Sequence, residues 1–205
     1  MSSFFKVFQV VFALSVAIIL VGLQGCQKDP EPSNELDPNM FNEMVCDGGG
    51  DNTWYPLAVG NSWRYDQYGS FNYVTRNVEA TVPFAGKLYY IVVEEQSGDD
   101  FTVLLGEDSI GNIVQYSGNT EYLYIPKQPV INKTWYNGGD SLKVVAVDTT
   151  LDNRYCSYTN VLAIEQRDAG NTLKSTRYYV KGIGQVYATF PLDSGNHTLS
   201  DIALE

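Results

Sequence analysis

Tyr73-Val-Thr-Arg-Asn-Val-Glu-Ala-Thr-Val82 and Lys87-Leu-Tyr-Tyr-Ile-Val-Val-Glu-Glu95, parted by Pro83-Phe-Ala-Gly86, decide how this chain folds. Both runs are rich in Val, Ile, Tyr and Thr, the residues that suit a pleated, half-buried surface. Their apolar side chains recur with period two, and the Pro-to-Gly segment between them reads as a turn. The same signature extends upstream to Ser62–Tyr68. Downstream it continues through Phe101–Leu105, Ile113–Tyr116, Glu121–Ile125, Leu142–Asp148, Tyr155–Arg167, Leu173–Val180 and Gln185–Phe190. Glu107-Asp-Ser-Ile-Gly-Asn112 and Asp168-Ala-Gly-Asn171 carry the Gly and Asn that hairpin loops need for positive φ. Strands at roughly ten-residue spacing, with no helical pattern between them, predict an all-β fold. The expectation is a single antiparallel domain of about ten strands over residues 54–205, built as a curved sheet, barrel or sandwich.

Upstream of residue 54 the composition changes. Lys6 precedes an apolar run from Val7 to Val21 that only Gln9 and Ser15 interrupt, as in the hydrophobic region of a signal peptide. The run is close to the length of a membrane span, but it ends in Leu23-Gln24-Gly25-Cys26 rather than in a basic cluster. That tetrapeptide resembles the lipobox of bacterial lipoproteins. The resemblance implies cleavage between Gly25 and Cys26 and lipid on Cys26, so that residues 1–25 are a signal peptide. Lys28, Asp29 and Glu31 then resemble the Lys-then-acids signal that sends some Gram-negative lipoproteins to the cell surface. Residues 26–53 read as a lipidated N-terminus and extended linker, with Pro30, Pro32 and Pro38 stiffening it. Asp47, Asp51 and Asn52 around three glycines read as a linker before they read as a calcium loop.

The expected mature chain has 180 residues, with 12 basic and 24 acidic side chains. A net charge of −12 argues against nucleic acid as a partner and for solubility. Membrane contact is expected through the lipid anchor alone. Cys46 and Cys156 remain after lipidation. In an exported protein they can form a disulfide, whereas the apolar strand around Cys156 equally suits a buried thiol. Both readings stand at this point.

Parts for catalysis are scarce. His197 is the single histidine and lies in the polar stretch Asp193-Ser-Gly-Asn-His-Thr, which reads as an exposed tail. One histidine and two separated cysteines do not supply a zinc site. No Gly-x-Ser-x-Gly elbow is present. Glu94 and Glu95 are adjacent on a strand and so point to opposite faces, which removes them as partners in glycoside hydrolysis. No metal and no cofactor is expected. The surplus is aromatic: 15 Tyr and 3 Trp, all beyond residue 53. Such rings fill a β core, or they offer a stacking face, and Trp54, Trp63 and Trp135 are the candidates for a binding face.

Pro56-Leu-Ala-Val-Gly-Asn-Ser-Trp63-Arg-Tyr65 is echoed by Pro129-Val-Ile-Asn-Lys-Thr-Trp135-Tyr136. Together with Tyr178-Tyr179-Val-Lys-Gly-Ile-Gly184, the first copy resembles a broad group of bacterial outer-membrane lipoproteins. They pair a Tyr-Pro-Leu…Gly-Asn…Trp…Tyr opening with a Tyr-Tyr…Gly-x-Gly closing. The resemblance implies a lipid-anchored, surface-facing outer-membrane protein and brings no activity with it. The functional expectation is therefore a non-catalytic binding or envelope-assembly role, with a glycan as candidate ligand. A carrier of an apolar ligand, built like a lipocalin, is the first alternative, and a carboxylate-based hydrolase the second. Cys26→Ser is expected to abolish palmitate labelling and leave the precursor uncleaved. Metabolic labelling with mass spectrometry of the N-terminus checks both, and an intact Met1 on the wild-type mature protein would refute the reading.

Overall fold

The computed structural model describes Cys46 and residues 52–68, 72–191 and 195–205. Gly25, Cys26, Lys28, Asp29, Glu31, Asp47 and Asp51 lie outside the described residues. Twelve strands form one antiparallel sheet, in accord with the expected all-β single domain. They are β1 (Ser62–Gln67), β2 (Tyr73–Phe84), β3 (Lys87–Gln96), β4 (Asp99–Glu107), β5 (Ile113–Ser117) and β6 (Thr120–Ile125). Then follow β7 (Thr134–Asn137), β8 (Asp140–Asp152), β9 (Ser157–Arg167), β10 (Leu173–Val180), β11 (Gly184–Thr189) and β12 (His197–Ala203).

Each strand pairs with its sequence neighbour, and β1 also pairs with β12, which leaves β6 and β7 as the two edges of the sheet. Those edges approach each other, so the sheet curls into a nearly closed up-and-down barrel. At the seam the indole N–H of Trp135 on β7 donates to the Leu123 carbonyl of β6 at 2.7 Å. Asn137 Nδ2 on β7 also donates to Gln115 Oε1 on β5 at 3.2 Å. An unpaired strand edge is a template for unwanted pairing. Here side chains cap it, and β7 is only four residues long.

The echoed segments adopt one design twice. Asn61 N donates to Ala58 O at 3.1 Å, and Lys133 N donates to Val130 O at 3.0 Å, closing equivalent turns. Gly60 and Asn132 both take positive φ. Gly60 N donates to Val78 O while Val78 N donates to Asn61 O, and Asn132 N, Val144 and Lys133 O repeat that exchange. A register shift follows each Val, between Val78 and Ala80 and between Val144 and Ala146. Each turn therefore opens a six-strand half of the barrel, β1–β6 or β7–β12. Trp63 and Trp135 occupy the second position of β1 and β7.

Two strands exceed the ten expected, and both have physical reasons for hiding. β7 is too short for a periodic signal. β12 carries its inward Leu199 and Ile202 three residues apart, because the ladder with β1 slips between Arg64 and Tyr65 and breaks the period of two. His197 is consequently no exposed tail residue. It opens β12, is 8 % exposed, and packs against the Phe190 ring at 4.7 Å.

Cys46 and Cys156 are joined by a disulfide with a Cα–Cα distance of 5.4 Å, closing a separation of 110 residues. On chain-entropy grounds a loop of about 100 residues contributes on the order of 4.7 kcal/mol. Trp135→Phe keeps a ring in the seam and removes the donor, at a cost of about 1 kcal/mol. The expected outcome is a small loss in urea stability together with faster amide exchange confined to β6 and β7. Equal acceleration in β9 would show that Trp135 does not hold the seam.

Candidate functional site

The inward phase of nine successive strands, β2 to β10, lines a cavity of about 260 Å³ inside the barrel, and Tyr55 contributes from the segment before β1. Alternation does the positioning: Val92 and Glu94, or Phe101, Val103 and Leu105, are two residues apart and share a face. Phe101 lines the cavity yet is 54 % exposed, so it stands where the cavity meets solvent.

The lining is mixed. Val92, Val103, Leu105 and Leu142 are apolar, Gln115, Asn137 and Gln166 are amides, and three residues carry formal charge: Arg76, Glu94 and Arg177. Arg76 Nε donates to Glu94 Oε2 at 2.5 Å and Arg76 Nη1 to Gln185 Oε1 at 3.0 Å. Its guanidinium also lies over the Tyr65 ring, 5.3 Å from the centroid. Glu94 feels burial, which alone would raise its carboxyl, but Arg76 overrides this and holds it below the usual glutamate value. Glu95 points the other way and accepts from Thr75 Oγ1 at 3.2 Å on an exposed face. The two neighbouring carboxylates thus have separate environments, as their adjacency on a strand predicts.

Arg177 has no such partner. Its Nε is buried and makes no hydrogen bond among the described residues, and the same holds for Gln185 Nε2 and Tyr65 Oη. No bond joins Arg177 to Glu94, yet its charge acts on that carboxyl through space in the same sense as that of Arg76. The neighbouring hydroxyl registers that charge. Burial would raise Tyr124, yet Arg177 and Arg76 bring it below the usual tyrosine value. Tyr55, by contrast, is pushed up to about 12 by burial.

The aromatic candidates go elsewhere. Trp54, Trp63 and Trp135 are all buried, so they do not form a binding face. Each indole N–H is committed to a backbone carbonyl, of Lys127, Ile183 and Leu123 respectively. Trp63 is 1 % exposed and packs on Gly184, where a Cβ would come within 3.2 Å of its Nε1. Gly182 and Gly184 have positive φ, and Gly182 N donates to Thr53 O, which makes the Gly-x-Gly segment a bend that receives the entering chain. Five of the fifteen tyrosines are buried as well, Tyr55, Tyr65, Tyr89, Tyr158 and Tyr179, while Tyr68, Tyr73 and Tyr136 are exposed. Among the described residues no three His, Cys, Asp or Glu side chains cluster as a metal site would require.

The charged lining is what sequence reasoning missed, although a signal was present. In β2 the inward phase reads Val74, Arg76, Val78, and in β10 it reads Ser175, Arg177, Tyr179. An arginine in the apolar phase of a strand marks a polar interior.

No protein-family model matches the chain, and no curated protein matches it. A solved structure from Bacteroides fragilis, named as an exported protein with a YmcC-like fold, aligns at 12 % identity. The alignment covers 74 % of this chain and 99 % of that one, with a TM-score of 0.46.

Glu94→Gln leaves Arg76 buried without its carboxylate, which is expected to cost about 3–5 kcal/mol at neutral pH. The folded-state carboxyl is held below its unfolded value of about 4.3, so its contribution is present above that pH. It is lost as pH falls through the depressed folded value. Urea unfolding across pH 3–7 should show the gap between wild type and variant closing on the acid side. A gap independent of pH would refute the pairing.

Proposed function

We propose that this chain is a lipid-anchored protein of the outer membrane, facing the cell surface, that binds a small polar ligand inside its barrel without transforming it. The single observation that carries the binding reading is the cavity. It is lined by nine strands, meets solvent at Phe101, and includes Arg177, whose buried Nε the fold leaves without a hydrogen-bond partner among the described residues. A buried donor of this kind is costly and ordinarily satisfied, so its place on a residue that lines a cavity supports a ligand bound there. The lipobox-like Leu23-Gln24-Gly25-Cys26 supports the anchor, and Lys28, Asp29 and Glu31 support the surface-facing position.

Two features support binding over turnover. Hydrolysis by carboxylates calls for two of them across the reacting bond, and Glu94 is the single carboxylate among the lining residues. Its ion pair with Arg76 also keeps it ionised, which unsuits it to donate a proton at neutral pH. A carrier of a purely apolar ligand fits less well, because Arg76, Glu94 and Arg177 would have to be desolvated against hydrocarbon.

Val103 lines the cavity and is half-buried, so Val103→Trp is expected to fill it with little effect on folding. Native mass spectrometry of the detergent-solubilised protein should show a small polar adduct on the wild type and none on this variant. A co-purifying lipid lost in the variant would favour the apolar carrier, and turnover of a bound molecule would favour an enzyme.

A further inference from the structure

We propose that the ligand of the barrel cavity is a small organic monocarboxylate, bound through the guanidinium of Arg177. The inference rests on the reading of the barrel interior as a binding cavity and names the chemistry that fills it. Three lining residues carry formal charge, and they do not cancel: Arg76 and Arg177 face one carboxylate, Glu94. Arg76 is already committed to Glu94 through Nε and to Gln185 through Nη1. Arg177 forms no ion pair, and its buried Nε has no hydrogen-bond partner among the described residues. The next acid, Asp140, is occupied by Lys174 at 2.8 Å and Gln166 at 2.6 Å.

A chain of net charge −11 thus keeps one excess positive charge on the lining of its barrel cavity. Outside, such a chain repels anions in general, so an anion that binds must enter the cavity to be rewarded. The planar fork of a guanidinium matches a carboxylate in two parallel hydrogen bonds. The charge balance also sets the number: one negative charge neutralises the lining. A phosphate monoester would bring about −1.5 to −2 at pH 7 and over-neutralise it. At about 260 Å³ the cavity lies just below the roughly 300–1,000 Å³ of pockets for drug-sized ligands, which limits the body of the molecule to the scale of one ring. Apolar Val92, Val103 and Leu105 accept its C–H surface, and Gln115, Asn137 and Gln166 its hydroxyls.

The test is calorimetric titration of the full mature protein with two matched pairs, D-glucuronate against D-glucose and benzoate against benzyl alcohol. Within each pair the body is the same and a carboxylate replaces a neutral CH₂OH. In at least one pair the carboxylate should bind tenfold or more tightly, and Arg177→Met should erase that advantage. The same variant should melt at an unchanged or higher temperature without ligand, since it removes a guanidinium whose buried Nε makes no hydrogen bond. A merely structural arginine would lower it. Arg177→Lys keeps the charge without the fork and should retain part of the advantage; if Arg177→Met fails to fold, this variant and the wild-type pairs decide. Equal affinity within both pairs, or glucose 6-phosphate binding more tightly than glucuronate, overturns the monocarboxylate while leaving the cavity a binding site. Binding of none of these probes overturns it as well. If native mass spectra then show no adduct on the wild type, the binding reading falls with it.

Discussion

Closure at the β6–β7 seam is the constraint on which the rest of this structure depends. Eleven of the twelve neighbouring strand junctions around the ring are backbone ladders, and the twelfth is not. There the Trp135 indole and the Asn137 amide reach across to Leu123 and Gln115. Backbone pairing would fix a distance and register between β6 and β7, whereas side-chain bonds close the ring without a ladder. The interior exists because of this closure. Tyr124 on β6 and Asn137 on β7 both line the cavity, so its wall runs across the seam. An open sheet of the same strands would expose Arg76 and Arg177 to water and abolish the low-dielectric surroundings that make their charge matter.

That interior divides its polar groups into two kinds. The Arg76–Glu94–Gln185 set is bonded within itself and ties β2, β3 and β11 together, although Gln185 Nε2 is left without a partner. Arg177 is left over. A core optimised only for stability would replace it with an apolar residue of similar volume, which for buried ions is often neutral or stabilising. Under the binding proposal, its presence is accounted for by a ligand rather than by the stability of the fold.

The all-β class was legible because β2 and β3 are dense in Val, Ile, Tyr and Thr and are parted by a turn, and the hairpin loops were legible because Asp108 and Asp168 each begin a Gly- and Asn-bearing turn. Both aspartates accept backbone N–H groups of their own loops. The duplicated entry was visible as an echo around Trp63 and Trp135. Its meaning needed the structure, because the shared feature is a backbone exchange with Val78 or Val144 rather than a run of identities. β12 was hidden by a bulge, which shifts side chains between faces and defeats any reading by period two. The binding expectation was misdirected to the tryptophans. Composition records how many aromatic rings a chain has but not which of their N–H groups the backbone will claim. The candidate site was legible only as a misplaced charge, Arg76 between Val74 and Val78, since nine strands contribute to it about one residue in turn.

The disulfide also determines how this barrel carries a load. Without the bond, tension applied N-terminal to residue 46 would run along the chain to Ser62 and pull on β1 from its end. Cys156 diverts that path. Force arriving at Cys46 passes through the sulfurs to the start of β9, a strand flanked on both sides by long ladders with β8 and β10. The segment from Thr53 to Asn61, whose contacts with Gly182 and Glu205 seat the entering chain, is shunted out of the circuit. If the domain is held at the end of a tether, as proposed above, this is strain relief of the kind built into a cable clamp: the lead can be tugged while the connection beyond the clamp stays slack.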